Sequence, residues 1–323
     1  MMEDNREQLE SALHGVEAAR GRLSAVRVKG GLASAVVDVS GLSADARAAL
    51  ERELRSAALA ASVADLRIVA TAEKRDRTII AVGSGKGGVG KSTVAANLAI
   101  ALSRLGNKVG LVDADIYGPS QPRIMGSDER PHAVEKKIVP VETHGIRMLS
   151  IGQLIEPGTA VAWRGPMTGS ALSQLMDGDW GDTEILVVDL PPGTGDVQMT
   201  LVQKWKPAGA VIVSTPQDLS LIDATRAIDL FNKTGVPILG IVENMAGYAC
   251  PHCGEISDPF GTGGAEAAAK VMKLPFLGRI PLRLDIRLAS DAGEPPAAGE
   301  GEAADLFLAI AERLMERVNP TPA

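Results

Sequence analysis

Hydrophobic and polar positions divide the chain into two parts that differ in pattern. In the first part, short apolar runs predict strands, and runs with apolar residues at helical spacing predict helices. The predicted helices are Leu9–Arg20 and Ala44–Ala60, and the predicted strands are Ser24–Lys29, Ala33–Val39 and Asp65–Val69. We therefore predict a small α/β domain over residues 1–70, followed by a polar linker, TAEKRDR, over residues 71–77.

From residue 78 onward, continuous apolar runs alternate with longer helical segments. The predicted strands are Ile79–Val82, Val109–Val112, Arg147–Ser150, Ile185–Val188, Ala210–Val213, Ile238–Val242 and Phe276–Ile280. The predicted helices are Ser92–Leu105, Met167–Met176, Leu219–Phe231 and Gly264–Lys273. Strands that are apolar along their whole length and separated by helices indicate a mostly parallel sheet covered by helices on both faces. Residues 78–323 are thus predicted to form one α/β domain, with ligands at the carboxyl ends of its strands.

A glycine-rich loop follows the first of these strands. It reads GSGKGGVGKST over residues 83–93, in which Gly85, Gly90, Lys91 and Ser92 fit the pattern G-x-x-x-x-G-K-[ST]. Glycines let backbone N–H groups surround phosphates, the lysine reaches the β- and γ-phosphates, and the serine hydroxyl binds Mg²⁺. The sequence therefore predicts a P-loop NTPase domain that binds a nucleoside triphosphate.

A dinucleotide site is the competing interpretation of the same loop. Gly83, Gly85 and Gly88 also spell G-x-G-x-x-G, and Asp113 ends the next strand. A lysine and a hydroxyl at the helix start are not needed for nicotinamide cofactors, so Lys91 and Ser92 favour the triphosphate. Lys86 is a second lysine inside the loop, and its charge adds repulsion with Lys91 unless an anion neutralises it. It is either a solvated loop charge or a phosphate ligand, of its own nucleotide or of the nucleotide of a facing subunit.

Carboxylates end two of the predicted strands beside this loop. Asp113 and Asp115 lie in LVDADIYGPS, and Asp189 follows the apolar run ILVV. At these positions they can serve Mg²⁺ and the attacking water. A single aspartate at a strand end is more often a cap or turn residue, but three beside a P-loop favour metal and water chemistry.

The only two cysteines of the chain lie together in CPHC, as Cys250 and Cys253. A thiol oxidant with this motif needs a helix directly after it, and Gly254, Pro259 and Gly261 disfavour one. Metal binding remains, and a four-thiolate site then requires two chains. We expect a symmetric dimer to hold one shared cluster, with [4Fe–4S] favoured and zinc as the structural alternative.

Composition and charge argue against nucleic acids and membranes as partners. The 323 residues are 45% hydrophobic and carry a formal net charge of −7, which argues against broad nucleic-acid binding. No apolar run approaches the roughly 20 residues that span a bilayer, and the first residues, MMEDNREQLE, are highly charged. We expect a cytoplasmic protein with neither a membrane nor a nucleic acid as its partner.

Several of these motifs together resemble the Mrp/ApbC family of P-loop ATPases, which groups with MinD, ParA and nitrogenase iron protein. The segments that carry the resemblance, over about residues 78–290, are GKGGVGKST, DADIYGPS, WRGPM, DLPPGTGD, STPQ, ENMA, CPHCG and LGRIP. The sequence departs from the family after LGRIP, where LRLDIRLASDAGEPP lacks the usual acidic residue soon after the proline. The N-terminal domain has no cysteine and so holds no cluster itself.

The resemblance implies a role for each motif residue. Catalytic roles fall to Lys86, acting across a dimer, to Lys91, and to Asp115, which orients the water. Nucleotide binding is implied for Gly85, Lys86, Gly87, Gly88, Val89, Gly90, Lys91, Ser92, Thr93 and Asn244. The resemblance also implies that Ser92, Asp113 and Asp189 bind magnesium and that Cys250 and Cys253 bind the iron–sulfur cluster.

The implied function is a slow ATPase that carries an iron–sulfur cluster in a homodimer. It would hydrolyse ATP to ADP and phosphate, and pass the cluster to apo iron–sulfur proteins, with scaffold proteins as further partners. We expect the run from Asp189 to Asp196 to relay the nucleotide state to the cysteines. The alternative is a MinD/ParA-like switch with a structural zinc at the dimer interface.

Overall fold

The computed structural model describes residues 2–29, 32–40, 42, 44–63, 65–71, 77–134, 137–155, 165–250 and 252–319. It divides into two compact units, Met1–Asp76 and Arg77–Ala323. Most of the predicted linker, residues 72–76, lies outside the described residues, so the domain boundaries at 70 and 78 stay predictions.

The first unit is a three-stranded sheet with two helices. Its elements are α1 (Met2–His14), β1 (Leu23–Lys29), β2 (Leu32–Asp38), α2 (Ala44–Ala60) and β3 (Leu66–Thr71). Strand β2 is central, antiparallel to β1 and parallel to β3. The prediction of a helix over Leu9–Arg20 is wrong, because α1 ends at His14 before Gly15, a poor helix former, and Glu17–Ala19 forms a separate 3₁₀ turn.

The second unit is built on a nine-stranded sheet. Its strands are β4 (Thr78–Gly83), β5 (Val109–Asp113), β8 (Val141–Thr143), β9 (Ile146–Ser150), β10 (Ile185–Asp189), β11 (Gly209–Ser214), β12 (Ile238–Ala249), β13 (Ile256–Ser257) and β14 (Phe276–Leu282). Strands β6 (His132–Val134) and β7 (Lys137–Val139) form a separate antiparallel hairpin. The order in the nine-stranded sheet is β13-β12-β11-β4-β10-β5-β9-β8, with β14 also paired to β12. All pairs in this sheet are parallel except those made by β8 and β13.

Helices cover both faces of this sheet. They are α3 (Lys91–Arg104), α4 (Gln121–Ile124), α5 (Ile151–Leu154), α6 (Gly165–Met176), α7 (Asp196–Trp205), α8 (Asp218–Lys233), α9 (Gly264–Met272), α10 (Leu284–Ala292) and α11 (Glu302–Val318). Strand β4 shows how the layers form, since Ile80 and Val82 pack toward α3 and α11 while Ile79 and Ala81 join the opposite core. The predicted fold, a mostly parallel sheet between helices, is confirmed.

The last helix completes one of the two cores. Phe307, Ile310 and Leu314 are at most 2% exposed and pack with residues of α3. The apolar face of α11 therefore serves packing. Within the described residues, none of the helices has both the length and the apolar character needed to cross a bilayer.

Candidate functional site

The loop between β4 and α3 can be built only from glycine at two positions. A Cβ on Gly85 would lie 2.0 Å from the backbone carbonyl carbon of Asp223, in α8. Gly90 has a φ of +80°, and its Cβ would lie 2.1 Å from Nδ2 of Asn244. Gly90 also gives the start of α3 no side-chain cap, so the first N–H groups of this helix are available to an anion.

A pocket of about 610 Å³ opens over this loop. Eight of the predicted nucleotide-binding residues line it: Lys86, Gly87, Gly88, Gly90, Lys91, Ser92, Thr93 and Asn244. Gly85 and Val89 do not line it, because Gly85 is pressed against α8 and the Val89 side chain is buried at 2% exposure. Asp115 lines the pocket as well, together with residues of β14 and α10.

Lys91 is the centre of a buried charge network. Its Nζ lies 2.5 Å from Oδ1 of Asp189, 3.6 Å from Oδ2 of Asp115 and 3.3 Å from Oγ of Ser92. The residue is only 6% exposed, so the ammonium group is held largely by protein partners. The structure thus brings the predicted lysine, serine and two of the three predicted aspartates to one point.

Asp113 lies beneath this point. It is in register with Asp189 on the neighbouring strand, and both residues are fully buried. Its carboxylate accepts hydrogen bonds from Oγ of Ser150 at 2.8 Å and from the backbone N–H of Gln121 at 3.1 Å. Burial and the charge of Asp189 raise the pKa of Asp113 to about 7, although these hydrogen bonds and Lys91 oppose the shift.

Gln121 is a site residue that sequence reasoning missed. Its Nε2 donates both to Oδ2 of Asp189 at 2.8 Å and to the carbonyl of Ser92 at 2.9 Å. The side chain is fully buried, yet its Oε1 has no hydrogen-bond partner, and neither does Oδ1 of Asp115. Two unsatisfied buried acceptors beside a P-loop are suited to donors such as water or the hydration shell of a metal. The only sequence signal was its place in the segment after Asp115.

Lys86 and Asn244 make different contacts at the loop. Nζ of Lys86 donates to Oε1 of Gln217 at 3.2 Å. Nδ2 of Asn244 donates to the carbonyl of Val89 at 2.8 Å. Asn244 is therefore tied to the phosphate loop itself, while Lys86 is held by the STPQ segment in its own chain.

Cys250 and Cys253 lie at the tip of the hairpin formed by β12 and β13. The turn is closed by hydrogen bonds from the N–H of Cys250 to the Glu255 carbonyl at 2.9 Å and from the N–H of Gly254 to the Cys250 carbonyl at 2.8 Å. Cys250 is half-buried and Cys253 is exposed. Hydrogen bonds to Cys250 from the backbone N–H groups of Cys253 and His252, and from the side chain of Cys253, lower its pKa, which favours the thiolate that metals bind.

The hairpin brings two thiols together without further metal ligands from the described residues. In the part of the chain that the structure describes, no three His, Cys, Asp or Glu side chains are grouped as metal ligands. Residues 252–263 form turns and the short strand β13 rather than a helix. As for the WRGPM segment, Trp163 and Arg164 lie outside the described residues, and α6 begins at Gly165.

Known proteins are similar to this chain over most of its length. An iron-sulfur cluster carrier protein from Deinococcus radiodurans is 43% identical over 322 residues, which covers 95% of this chain and 91% of that protein. An Arabidopsis thaliana protein described as an iron-sulfur protein required for NADH dehydrogenase, mitochondrial, is 52% identical over 222 residues, 68% of this chain and 71% of its own.

Two solved structures agree with these relatives. A nucleotide-binding protein from Archaeoglobus fulgidus in complex with ADP is 40% identical, has a TM-score of 0.61, and covers 71% of this chain and 91% of its own. The cell division ATPase MinD of Pyrococcus furiosus is 26% identical, with a TM-score of 0.56, over 74% of this chain and 98% of its own.

A family model settles the assignment. The model described as ParA, NUBPL iron-transfer P-loop NTPase, matches residues 75–315, well over half of the chain. The predicted membership of an iron–sulfur carrier group related to MinD is confirmed. This chain belongs to the NUBPL iron-transfer P-loop NTPases.

Proposed function

We propose that this chain hydrolyses ATP to ADP and phosphate and carries an iron–sulfur cluster that it transfers to apoproteins. The observation that carries the proposal is the pairing, in one unit, of a formed phosphate loop with two neighbouring thiols, one half-buried and one exposed, to which the described residues add no further metal ligand. The name of the Deinococcus radiodurans relative, an iron-sulfur cluster carrier protein, supports the cargo.

The nucleotide site is suited to ATP chemistry through the residues of this chain. The N–H groups at the start of α3 and Nζ of Lys91 bind the β- and γ-phosphates, and Asn244 contacts the base. Oδ1 of Asp115, buried and unpaired, accepts a hydrogen bond from the attacking water and orients it. Lys86 leaves Gln217 in a dimer and serves the facing subunit's phosphates.

The same site fits a magnesium ion. Ser92 would hold the ion, with Asp113 and Asp189 on the adjoining strand ends, and the unpaired Oε1 of Gln121 provides an acceptor for its hydration shell. When bound, Mg²⁺ neutralises charge on the β- and γ-phosphates. Both oxygens of Asp189 accept hydrogen bonds, from Lys91 and Gln121, so Asp189 would act on the ion through its hydration shell while it keeps these two side chains in place.

The cluster is the cargo, and it needs a second copy of the chain. Two thiolates from each of two hairpins make the four that a [4Fe–4S] cluster takes. A two-fold axis between the hairpins satisfies this requirement, because an isologous interface presents the same patch twice. The partners are then another copy of this protein, apo iron–sulfur proteins and scaffold proteins, in the cytoplasm, without nucleic acid or membrane.

Anaerobic reconstitution with iron and sulfide tests the proposal. We expect about four irons and four sulfides per dimer, a [4Fe–4S] Mössbauer spectrum, and transfer to an apo-ferredoxin on mixing. His252→Ala is the matched control, since it changes the same exposed turn without removing a thiol, and it should load equally.

Two results would overturn the carrier function. One is a wild-type protein that holds no labile cluster. The other is a protein that binds one zinc per dimer and resists its replacement, which would leave an ATP-driven switch with a structural metal.

A further inference from the structure

One buried carboxylate near the nucleotide pocket has no part in the function described so far. Glu243 lies in β12, immediately before Asn244, and is fully buried. A buried charge is retained only where partners compensate for lost hydration. Its partners therefore indicate what it does.

Both oxygens of Glu243 are bound, and each bond reaches a different element. Oε1 accepts from Nε of Arg279, in β14, at 3.0 Å. Oε2 accepts from the backbone N–H of Ala265, in the first turn of α9, at 2.8 Å. Arg279 is in register with Glu243 and also pairs with the exposed Glu266 at 2.5 Å. Glu243 thus fixes β12 to its neighbouring strand and helix at one level of the sheet.

The backbone changes character directly after this anchored level. Met245 and Gly247 have φ angles of +60° and +74°, and the register of β12 with β14 shifts between Asn244 and Tyr248. A positive φ is unusual for methionine, and such residues persist only where the surroundings enforce them. Residues Met245–Gly247 therefore form a kink.

The kink has the nucleotide pocket on one side and the thiols on the other. Asn244 and Met245 line the pocket, and Asn244 is bonded to the carbonyl of Val89 in the phosphate loop. Beyond the kink, Tyr248 and Ala249 pair with β13, and Cys250 follows. Asn244 and Cys250 are only six positions apart, at most about 20 Å of extended chain.

We propose that Glu243 is a positioning residue that anchors β12, so that nucleotide-driven movement of Asn244 and Met245 passes through the kink to Cys250 and Cys253. Because Glu243 holds β12 to β14 and α9, a movement of Asn244 and Met245 displaces the hairpin that follows them and not the strand that precedes them. This makes β12 the route between the two sites, in place of the run from Asp189 to Asp196. The inference rests on the proposed cluster-carrying function, because only there do the thiols have cargo to control.

Thiol alkylation in cluster-free, full-length protein tests the coupling. The rates for Cys250 and Cys253 are measured anaerobically, without nucleotide and with saturating ADP, at a concentration where light scattering shows monomers in both states. In the wild type we expect ADP to change the rate by about fivefold. In Glu243→Gln, which keeps the side-chain shape, the rate should become independent of ADP while ADP affinity changes by less than about threefold.

Three companion variants separate positioning from general damage. Arg279→Lys keeps a charged partner for Glu243 and should retain most of the ADP response, whereas Arg279→Met should lose it. Glu266→Gln, at the exposed end of the same network, should behave as the wild type. Thermal unfolding of each variant identifies any that is not folded, and the Arg279 pair decides the matter if Glu243→Gln is one of them.

Two outcomes would overturn the inference. The first is a Glu243→Gln or Arg279→Met protein that is folded and keeps the full ADP response. The second is a wild type whose thiols react at the same rate with and without ADP. Neither outcome touches the carrier function, since that function depends on cluster loading and transfer, which are measured separately.

Discussion

The nucleotide pocket and the cysteine hairpin differ in how much of each site one chain contains. Around Lys91, the aspartates and Gln121 are buried and joined by hydrogen bonds within a single chain. At the hairpin, two thiols lie near the surface, and the described residues add no further metal ligand to them. The described residues of one chain thus supply the contacts around Lys91, whereas the proposed cluster site needs a second copy of the chain.

Removal of one thiol should have the largest effect, and it tests whether the two sites differ as described. Cys250→Ser or Cys253→Ser leaves two thiolates per dimer, one from each chain, so we expect iron retention after reconstitution and desalting to fall to background. ADP affinity should stay within about twofold, because neither residue lines the nucleotide pocket. Iron analysis and calorimetric ADP titration check the two halves of this prediction, and iron retention by either variant contradicts the shared site.

Substitution of Lys91 tests the nucleotide pocket. Lys91→Ala should lower ADP affinity by at least about 100-fold, since the ammonium group contacts phosphate in every P-loop. It also leaves Asp189 buried without its cation, which should cost about 3–5 kcal/mol of unfolding free energy.

A surface lysine gives the matched control. Lys108→Ala removes an exposed ion pair with Asp182 and should change stability by less than about 1 kcal/mol. Fluorescent ADP binding and urea unfolding report the two effects. Near-wild-type ADP binding by a folded Lys91→Ala protein would contradict the assignment of the pocket.

Asp115→Asn separates binding from chemistry within the nucleotide site. We expect the turnover number to fall by about 100-fold because the amide orients the water poorly, while ADP affinity stays within about threefold. Steady-state phosphate release and ADP titration test this. If affinity and turnover fall together, Asp115 serves binding instead.

The smallest expected effect concerns Asp113 and pH. Its pKa, raised to about 7 from an ordinary 3.8 by burial and by Asp189, means that the folded state binds more protons than the unfolded state between those values. Proton binding at Asp113 therefore stabilises the folded state at low pH, and this stabilisation is lost as the pH rises from about 4 to about 7.

Asp113→Asn tests this pH dependence because it cannot ionise. Relative to the wild type, it should gain stability on going from about pH 5 to about pH 8. Urea unfolding with a metal chelator and no nucleotide, at both pH values, measures the difference. A stability difference that is the same at both pH values would show that Asp113 does not titrate in this range.

Local patterns in the sequence were enough for the main elements and for the phosphate loop. The buried strands are apolar along their length, so β4, β5 and β10 could be placed from composition. The loop motif located the pocket, although Gly85 and Val89 of the motif do not line it. Helices α7 and α10 were not predicted, because they have only 10 and 9 residues and the periodicity of so short a run is ambiguous. Their positions depend on contacts with other elements.

Buried polar residues were the hardest to predict. Gln121 and Glu243 are charged or polar types that usually lie in solvent, and nothing in their local sequence distinguishes them from surface residues. Their roles depend on Asp189, Ser92, Arg279 and Ala265, which are distant in sequence or on other elements. Only the tertiary structure brings those partners within hydrogen-bond distance.

The turn that holds the two thiols also determines how readily the cluster-free protein is oxidised. The lowered pKa of Cys250 and the exposure of Cys253 are the conditions under which oxidants attack sulfur fastest. In the proposed carrier, every interval without a cluster is thus an interval in which oxygen or peroxide can oxidise these two thiols. The working lifetime of such a carrier depends on how quickly it is refilled.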